Sequence, residues 1–173
     1  MKTVTEGKQT FSFPDDWYVV KYDDTNFYRK SVEKCADTKA VDILALSDTD
    51  MWMIEAKDFR SYRIDNKERI ANHDLVDEFA RKVRDTIAGL YGAHRSTTEQ
   101  LSCFCNHLFP SVAKKINVIL FLEEDRPSEK HKSFKRARSN MKKAVEKHLK
   151  FLNVRCNILN RQELTAHLNW SVL

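Results

Sequence analysis

Residues 40–59 read AVDILALSDTDMWMIEAKDF and hold two apolar runs on either side of a short polar stretch. The runs at residues 40–46 and 51–59 are rich in β-branched and large apolar side chains, which favour strands. Residues 47–50 have the polar composition of a tight turn. The sequence therefore predicts a β-hairpin. Apolar residues on both faces of each strand predict that both faces are covered.

The register of this hairpin decides which side chains face each other. Leu46 pairs with Met51 beside the turn, and the pairing continues outward from there. Asp42 then lies directly opposite Glu55, and Lys57 shares the face of Glu55 because side chains alternate along a strand. Opposed residues on one face have Cβ atoms about 5 Å apart, so like charges there destabilise the hairpin.

The predicted acid pair therefore needs a compensating partner, because buried charge without one is costly. A divalent cation is such a partner, since Mg²⁺ is held by one or two carboxylates together with waters and phosphate oxygens. Lys57 is then placed to hold an attacking water or to stabilise charge on a phosphate. The alternative is a partly exposed ion-pair cluster on an open sheet face.

These residues resemble a known family of enzymes. Asp42 in the stretch VDIL, followed by MIEAK at residues 53–57, is similar to the D…E-x-K signature of the PD-(D/E)XK, or restriction-endonuclease-like, nuclease superfamily. The resemblance implies an α/β fold with an αβββαβ core, in which a central mixed sheet is flanked by helices. Val41 stands where the family nominally has a proline, and no Q-x-x-x-Y motif follows on the next predicted helix.

The resemblance also implies roles for individual residues. Asp42, Glu55 and the backbone carbonyl of Ala56 would bind Mg²⁺ or Mn²⁺. Lys57 would be the water-positioning base or charge stabiliser, and Glu33 the further acid that some members supply from the first helix.

The activity that the resemblance implies is that of a metal-dependent nuclease, most naturally a DNA endonuclease in defence or repair. Such a small chain would work as a homodimer or within a larger complex. Two alternatives stay open at this point. One is a catalytically inactive nucleic-acid-binding module or complex subunit of the same fold, and the other is a ribonuclease, including one that targets tRNA.

The rest of the sequence predicts a single α/β domain over residues 1–173. Acids at residues 23 and 24 predict the start of a first helix that ends near Cys35. A second helix is predicted to end near Gly89 or Gly92, with its apolar stripe at Leu75, Phe79, Val83, Ile87 and Leu90. The remaining predicted elements are extended or irregular segments at 11–13 and 17–22, strands at 116–122 and 154–159, and a terminal helix at 161–168.

Residues 130–150 combine an apolar stripe with a strong excess of positive charge. This segment holds nine Lys or Arg residues and one acid, whereas the whole chain has a net charge of +5. The periodicity predicts a helix whose buried stripe includes Met141, Val145 and His148. Its polar face either follows a nucleic-acid backbone or is simply solvated. The residues predicted to contact nucleic acid are Lys82, Lys135, Arg136, Arg138 and Lys142.

Composition argues against several other classes of protein. The apolar run at residues 116–122 is far shorter than the roughly 20 residues of a membrane-spanning helix. Residues 1–10 lack the apolar core of a secretory signal, so we expect a cytoplasmic protein without a membrane partner. The four cysteines lack structural-zinc spacing and are expected to be reduced thiols.

Overall fold

The computed structural model describes residues 1–60, 74–110, 114–124, 131–164 and 168–173, with side chains from residue 136 onward in the fourth range. A mixed sheet of five strands forms its centre. Neighbouring strands are antiparallel from the first to the third and parallel from the third to the fifth. In spatial order the strands are β3 (Tyr18–Lys21), β4 (Ile43–Leu46), β5 (Asp50–Asp58), β6 (Lys115–Glu123) and β7 (Arg155–Leu159).

The hairpin of β4 and β5 has the predicted register. Leu46 pairs with Met51, and the pairing continues in single steps to Ile43 and Ile54. The turn is closed by hydrogen bonds between Ser47 and Asp50: the Ser47 N–H donates to the Asp50 carbonyl at 2.9 Å, and the Asp50 N–H donates to Ser47 Oγ at 3.0 Å. Every residue of β4 is buried, which confirms that both faces of this strand are covered.

Helices cover one face of the sheet, and the α/β prediction is confirmed. Side chains from alternate positions of the strands, such as Leu44, Met53 and Val118, form a core with apolar side chains of the helices, such as Phe79 and Val145. The helices are α1 (Asp74–Arg95), α2 (Ser102–Leu108) and α3 (His131–Leu149).

The long helix α1 buries the predicted stripe but ends later than predicted. It continues through both glycines to Arg95. Gly89 is therefore not a helix end. It lies where Tyr22 packs against the helix, and a Cβ at this position would be 2.4 Å from Tyr22 Oη. The buried members of the predicted stripe are Leu75, Phe79, Val83 and Leu90, while Ile87 is partly buried.

The other face of the sheet is covered by a second, smaller sheet. Its strands are β1 (Lys2–Glu6), β2 (Gln9–Phe13) and β8 (Ser171–Val172). The core on this side contains several aromatic residues, among which Trp17 stacks on Trp52 of β5 with ring centroids 4.4 Å apart. The predicted segments at 11–13 and 17–22 thus contribute to β2 and β3. The helices cover one face of the hairpin, and the smaller sheet covers the other.

Three helical predictions were wrong in detail. In place of a regular first helix, the chain forms a 3-10 turn at Tyr22–Asp24 and a π-helix at Tyr28–Val32. The predicted terminal helix is represented by a 3-10 turn at Arg161–Glu163, and residues 165–167 lie outside the described ranges. In α3, His148 is exposed and Leu149 is buried in its place.

The expectations about membrane-spanning helices and about the cysteines are compared here with the described residues. Within those ranges, no helix combines the length and the apolar character that crossing a lipid bilayer requires. The four cysteines are free thiols, and Cys105 and Cys156 are buried among apolar neighbours. His107 lies 3.1 Å from the Lys115 carbonyl oxygen through its Nε2.

We predict that Gly89→Ala lowers the free energy of unfolding by about 1–3 kcal/mol, because the new methyl group overpacks the buried contact with Tyr22. Gly92→Ala is the matched control: its Cβ would meet Phe27 at 3.4 Å. Both changes gain about 1 kcal/mol of helix propensity, so their difference isolates the clash. Urea denaturation measures it, and equal stability of the two variants would contradict the prediction.

Candidate metal centre

Asp42 and Glu55 come together at the end of the hairpin, on the face that the helices cover. Asp42 directly precedes β4 and Glu55 lies in β5; they are 8% and 1% exposed. The Ala56 N–H donates to Asp42 Oδ2 at 2.7 Å, which fixes the Asp42 carboxylate against β5. The Lys82 Nζ lies 2.7 Å from Glu55 Oε1 and 3.8 Å from Asp42 Oδ1. The structure therefore brings both predicted acids to a single ammonium group.

Lys57 also reaches this group. Its Nζ lies 2.9 Å from Glu55 Oε1 and 3.1 Å from Glu78 Oε1 on α1. Burial lowers the pKa of Lys57, but Glu55 and Glu78 outweigh burial and raise that pKa above its ordinary value. Lys57 is therefore a cation at neutral pH. Of the two roles implied by the resemblance, this favours stabilisation of charge and orientation of water over abstraction of a proton.

Two further acids lie beside Asp42, and sequence reasoning assigned neither of them to the metal site. Carboxylate oxygens of Glu6, Asp23 and Asp42 lie within 4.8 Å of one another. Asp23 is brought there because β3 pairs with β4: the Tyr22 N–H donates to the Asp42 carbonyl at 2.8 Å. Glu6, at the end of β1, is paired with a lysine of β3 at 2.8 Å.

Glu33 does not join this cluster. It follows the π-helix and is exposed, so the acid supplied from this part of the chain is Asp23 instead. The cause is local: the 3-10 turn and the π-helix replace the regular helix on which the Glu33 assignment depended. The signal that could have found Asp23 is the register of β3, because its last residue, Lys21, pairs with Ile43 beside Asp42.

The electrostatics of the cluster favour a cation. Burial, followed by the charge of Glu55, raises the pKa of Asp42 to about 7, although Lys82 and the Ala56 N–H act against this rise. Burial is also the main cause that raises the pKa of Asp23 to about 6, and Asp42 adds to it. Glu55 Oε2 is buried and accepts no hydrogen bond. Oxygen donors with this excess of negative charge fit a hard divalent cation such as Mg²⁺.

The carbonyl of Ala56 follows Glu55 in β5, next to the N–H that holds Asp42. Its role as a metal ligand stays a prediction.

Lys82 has a different place from the one predicted. We expected it to contact nucleic acid, but its side chain is 14% exposed and its ammonium group is bound to Glu55. It stands three residues after Phe79 and four before Thr86, both buried on α1, so helical periodicity already placed it beside the apolar stripe. In this structure Lys82 belongs to the acid cluster and not to an exposed surface.

The predicted basic residues of α3 divide into several environments. Arg136 is exposed, and Lys142 is half-buried and donates to Asn157 Oδ1 at 3.0 Å. Arg138 is a correction: it is 7% exposed, donates to the Leu122 carbonyl at 2.6 Å and is ion-paired with Glu163. A buried, engaged guanidinium group serves the fold and offers no open phosphate contact. The side chain of Lys135 lies outside the described residues.

The raised pKa of Asp42 predicts how the stability of the metal-free protein depends on pH. A folded-state pKa of about 7 lies above the unfolded value, so the folded state binds the extra proton between about pH 4 and pH 7. The contribution is complete below the unfolded pKa and is lost as pH rises through about 7. Stability in EDTA should therefore fall as pH rises toward neutrality.

Asp42→Asn should flatten this dependence, because the amide does not titrate. Asp48→Asn, which changes an exposed acid of the turn, is the control and should follow the wild-type curve. Urea unfolding in EDTA between about pH 5 and pH 8 measures the effect. A wild-type stability that rises with pH relative to Asp42→Asn would contradict it.

Comparisons with known proteins add one similarity. No protein-family model matches the chain, and no solved structure matches it. Among curated proteins, the chain is similar to a cysteine–tRNA ligase of Neisseria meningitidis, with 29% identity over 156 aligned residues. The match covers 67% of this chain and 22% of that protein, so the chain spans about a fifth of the length of this relative.

Proposed function

We propose that the chain is a metal-dependent phosphodiester hydrolase of the restriction-endonuclease-like kind, acting on DNA. The observation that carries this proposal is the buried acid pair, Asp42 and Glu55, which a β-hairpin holds beside the ammonium group of Lys57. The strands β3, β4 and β5, followed by α1 and β6, support the βββαβ part of an αβββαβ core, although the helical turn lies between β3 and β4 and does not precede the three strands.

The proposed mechanism assigns each group a task. Asp42, Glu55 and the Ala56 carbonyl would hold Mg²⁺ or Mn²⁺, with Asp23 close to Asp42. When bound, the cation supplies Lewis-acid stabilisation of charge on the phosphate and lowers the pKa of a water. Lys57 donates hydrogen bonds to the attacking water or the phosphate oxygens, and its charge is kept by the raised pKa.

Glu78 has a supporting part in this mechanism. Its Oε1, on α1, lies 3.1 Å from Lys57 Nζ, and Glu55 Oε1, on β5, lies 2.9 Å from the same nitrogen. Two acceptors on different elements hold the long lysine side chain in one place. Such preorganisation keeps the charge aimed at the reacting group and limits the reorganisation needed during the reaction.

The exposed basic residues of α3 are the proposed contact with the nucleic-acid backbone. Arg136, Lys143 and Lys147 of α3 are exposed, as is Lys150 directly after the helix, and the four follow one another at spacings of seven, four and three residues. These spacings place the three helical residues on a single stripe. Phosphate contacts from such a stripe supply affinity without sequence preference.

A second candidate substrate is RNA, and one observation favours it. The relative from Neisseria meningitidis is named for its action on tRNA, and it resembles this chain over part of its length. The same metal chemistry cleaves phosphodiester bonds in RNA and DNA, so the acid pair fits both. Transfer RNA therefore belongs among the substrates to be tested.

The proposed activity predicts cleavage of plasmid, linear or single-stranded DNA with Mg²⁺ or Mn²⁺, and none with EDTA. Glu55→Gln and Asp42→Asn should each reduce the rate by at least about 100-fold, because each removes a ligand of the cation. Lys57→Met should reduce turnover similarly while Mn²⁺ binding persists. Glu33→Gln, which changes an exposed acid outside the cluster, should leave the rate unchanged.

The same cleavage assay identifies the substrate and distinguishes the proposed function from its alternatives. Cleavage of tRNA without cleavage of DNA would favour the ribonuclease. Metal-independent nucleic-acid binding without cleavage of any substrate would favour an inactive binding module. Equal rates for wild type and Glu55→Gln would contradict the assignment of the acid pair.

The basic stripe predicts a weaker salt dependence of affinity in the triple variant Arg136→Ala, Lys143→Ala, Lys147→Ala. Removal of each phosphate interaction should lower the slope of log affinity against log salt by about 0.9 on duplex DNA. The control with the same change of charge replaces three exposed lysines elsewhere: Lys8, Lys30 and Lys34. Titrations of a fixed duplex at several salt concentrations measure the slopes of both variants. Equal slopes in wild type and stripe variant would mean that this face of α3 is only solvated and does not contact nucleic acid.

A further inference from the structure

The ammonium group of Lys82 lies between the two carboxylates that the proposed cation requires. Its Nζ is 2.7 Å from Glu55 Oε1 and 3.8 Å from Asp42 Oδ1. One oxygen of each acid is thus turned toward a single positive charge that the protein itself supplies. A cation bound by both acids would face that charge at short range.

The grouping of the acids in this structure agrees with such an arrangement. Among the residues that the structure describes, the carboxylate oxygens of Glu6, Asp23 and Asp42 lie within 4.8 Å of one another, and Glu55 does not belong to this group. Glu55 instead receives two ammonium groups at one oxygen, from Lys57 and Lys82. Lys82 therefore bridges Glu55 to Asp42, which is a member of that group.

The two lysines at Glu55 differ in how they are held. Lys57 has a second acceptor in Glu78, at 3.1 Å, on the far side of its ammonium group. Lys82 is held by Glu55 and, more distantly, by Asp42, which are the proposed metal ligands themselves. If a divalent cation binds Asp42 and Glu55, Lys57 therefore keeps Glu78 as a partner. Lys82 loses both of its partners, because they are the metal ligands.

Two acids on α1 lie about one helical turn from Lys82, and each already has a partner. Glu78, which binds Lys57, lies four residues before it, and Asp85, whose Oδ2 accepts from the Lys39 N–H, lies three residues after it; both are partly exposed. Glutamate four residues ahead of lysine is the favourable orientation for a helical ion pair. The lysine side chain is long and flexible, so its charge can leave the acid pair without a change in the backbone.

We propose that Lys82 is an intramolecular competitor of the catalytic cation, a positioning residue that neutralises Asp42 and Glu55 in the metal-free protein and leaves them when a divalent cation binds. The inference rests on the proposed function, since it concerns the same acid pair. It adds a consequence that the proposed function does not require: metal affinity is held below what the carboxylates alone would give.

The test compares Mn²⁺ binding by calorimetry in wild type, Lys82→Met and Arg81→Met. Methionine keeps the length of the side chain and removes the charge. Arg81 is the exposed neighbour on α1, so its variant controls for the loss of one positive charge on this helix. Lys82→Met should bind Mn²⁺ at least about tenfold more tightly than wild type, and Arg81→Met should stay within about twofold, because charge interactions weaken with distance and solvent exposure.

Thermal unfolding supplies a second readout, and its response to Mn²⁺ is the part that a merely structural ion pair would not produce. In EDTA, Lys82→Met should melt at a lower temperature than wild type, because two buried carboxylates lose their counter-ion. At a fixed Mn²⁺ concentration, its melting temperature should rise more than that of wild type, as tighter binding requires. If Lys82→Met does not fold without metal, Lys82→Gln carries the same comparison.

The outcomes separate this inference from the proposed function. Tighter Mn²⁺ binding in the Lys82 variant alone supports the competitor role. Equal or weaker binding than wild type overturns that role and leaves the metal centre standing. Absence of Mn²⁺ binding in all three proteins overturns both.

Discussion

The proximity of Asp42 and Glu55 is set by the register of a hairpin and not by any attraction between the two acids. Apolar pairs along β4 and β5 lock that register, and the carboxylates must follow. Much of their surroundings then compensates for the repulsion, through a backbone N–H on Asp42 and the ammonium groups of Lys57 and Lys82. The compensation is incomplete, because burial, followed by the charge of Glu55, still raises the pKa of Asp42 to about 7.

The two apolar cores make this arrangement tolerable without a bound cation. Each large side chain fully buried contributes about 1.5–3 kcal/mol, so a few of them offset the repulsion of one acid pair. Met53 and Ile54 illustrate the division, since these neighbours in β5 enter opposite cores, and Trp52 is clamped by Trp17 on the side away from the helices. The acid pair is held by packing on both sides of the sheet.

What could be predicted from sequence follows from how local each interaction is. The hairpin register was predictable because four polar residues separate two apolar runs, and Asp42 and Glu55 follow by counting. The places of Asp23 and Glu6 beside Asp42 could not be predicted in this way. Asp23 depends on the pairing of β3 with β4, and Glu6 depends on a sheet that joins both ends of the described chain. Arg138 was predictable in principle, since it stands three residues before Met141 on the buried stripe of α3.

The distribution of charge also orders the events that a nuclease would need. Among the described residues around the acid pair, the carboxylates of Glu6, Asp23, Asp42, Glu55 and Glu78 outnumber the ammonium groups of Lys21, Lys57 and Lys82 by two when all of them are ionised. A phosphodiester is itself an anion, so this part of the surface repels it until a divalent cation removes the excess charge.

The exposed stripe of α3 carries positive charge whether or not a metal is bound. Under the proposed function, docking of a nucleic-acid backbone and its approach to the acids would therefore be separable steps. The first would depend on salt because surface charges are screened, and the second on the divalent cation because the acid pair is buried. The proposed displacement of Lys82 would belong to the second step, since it would accompany the binding of the cation.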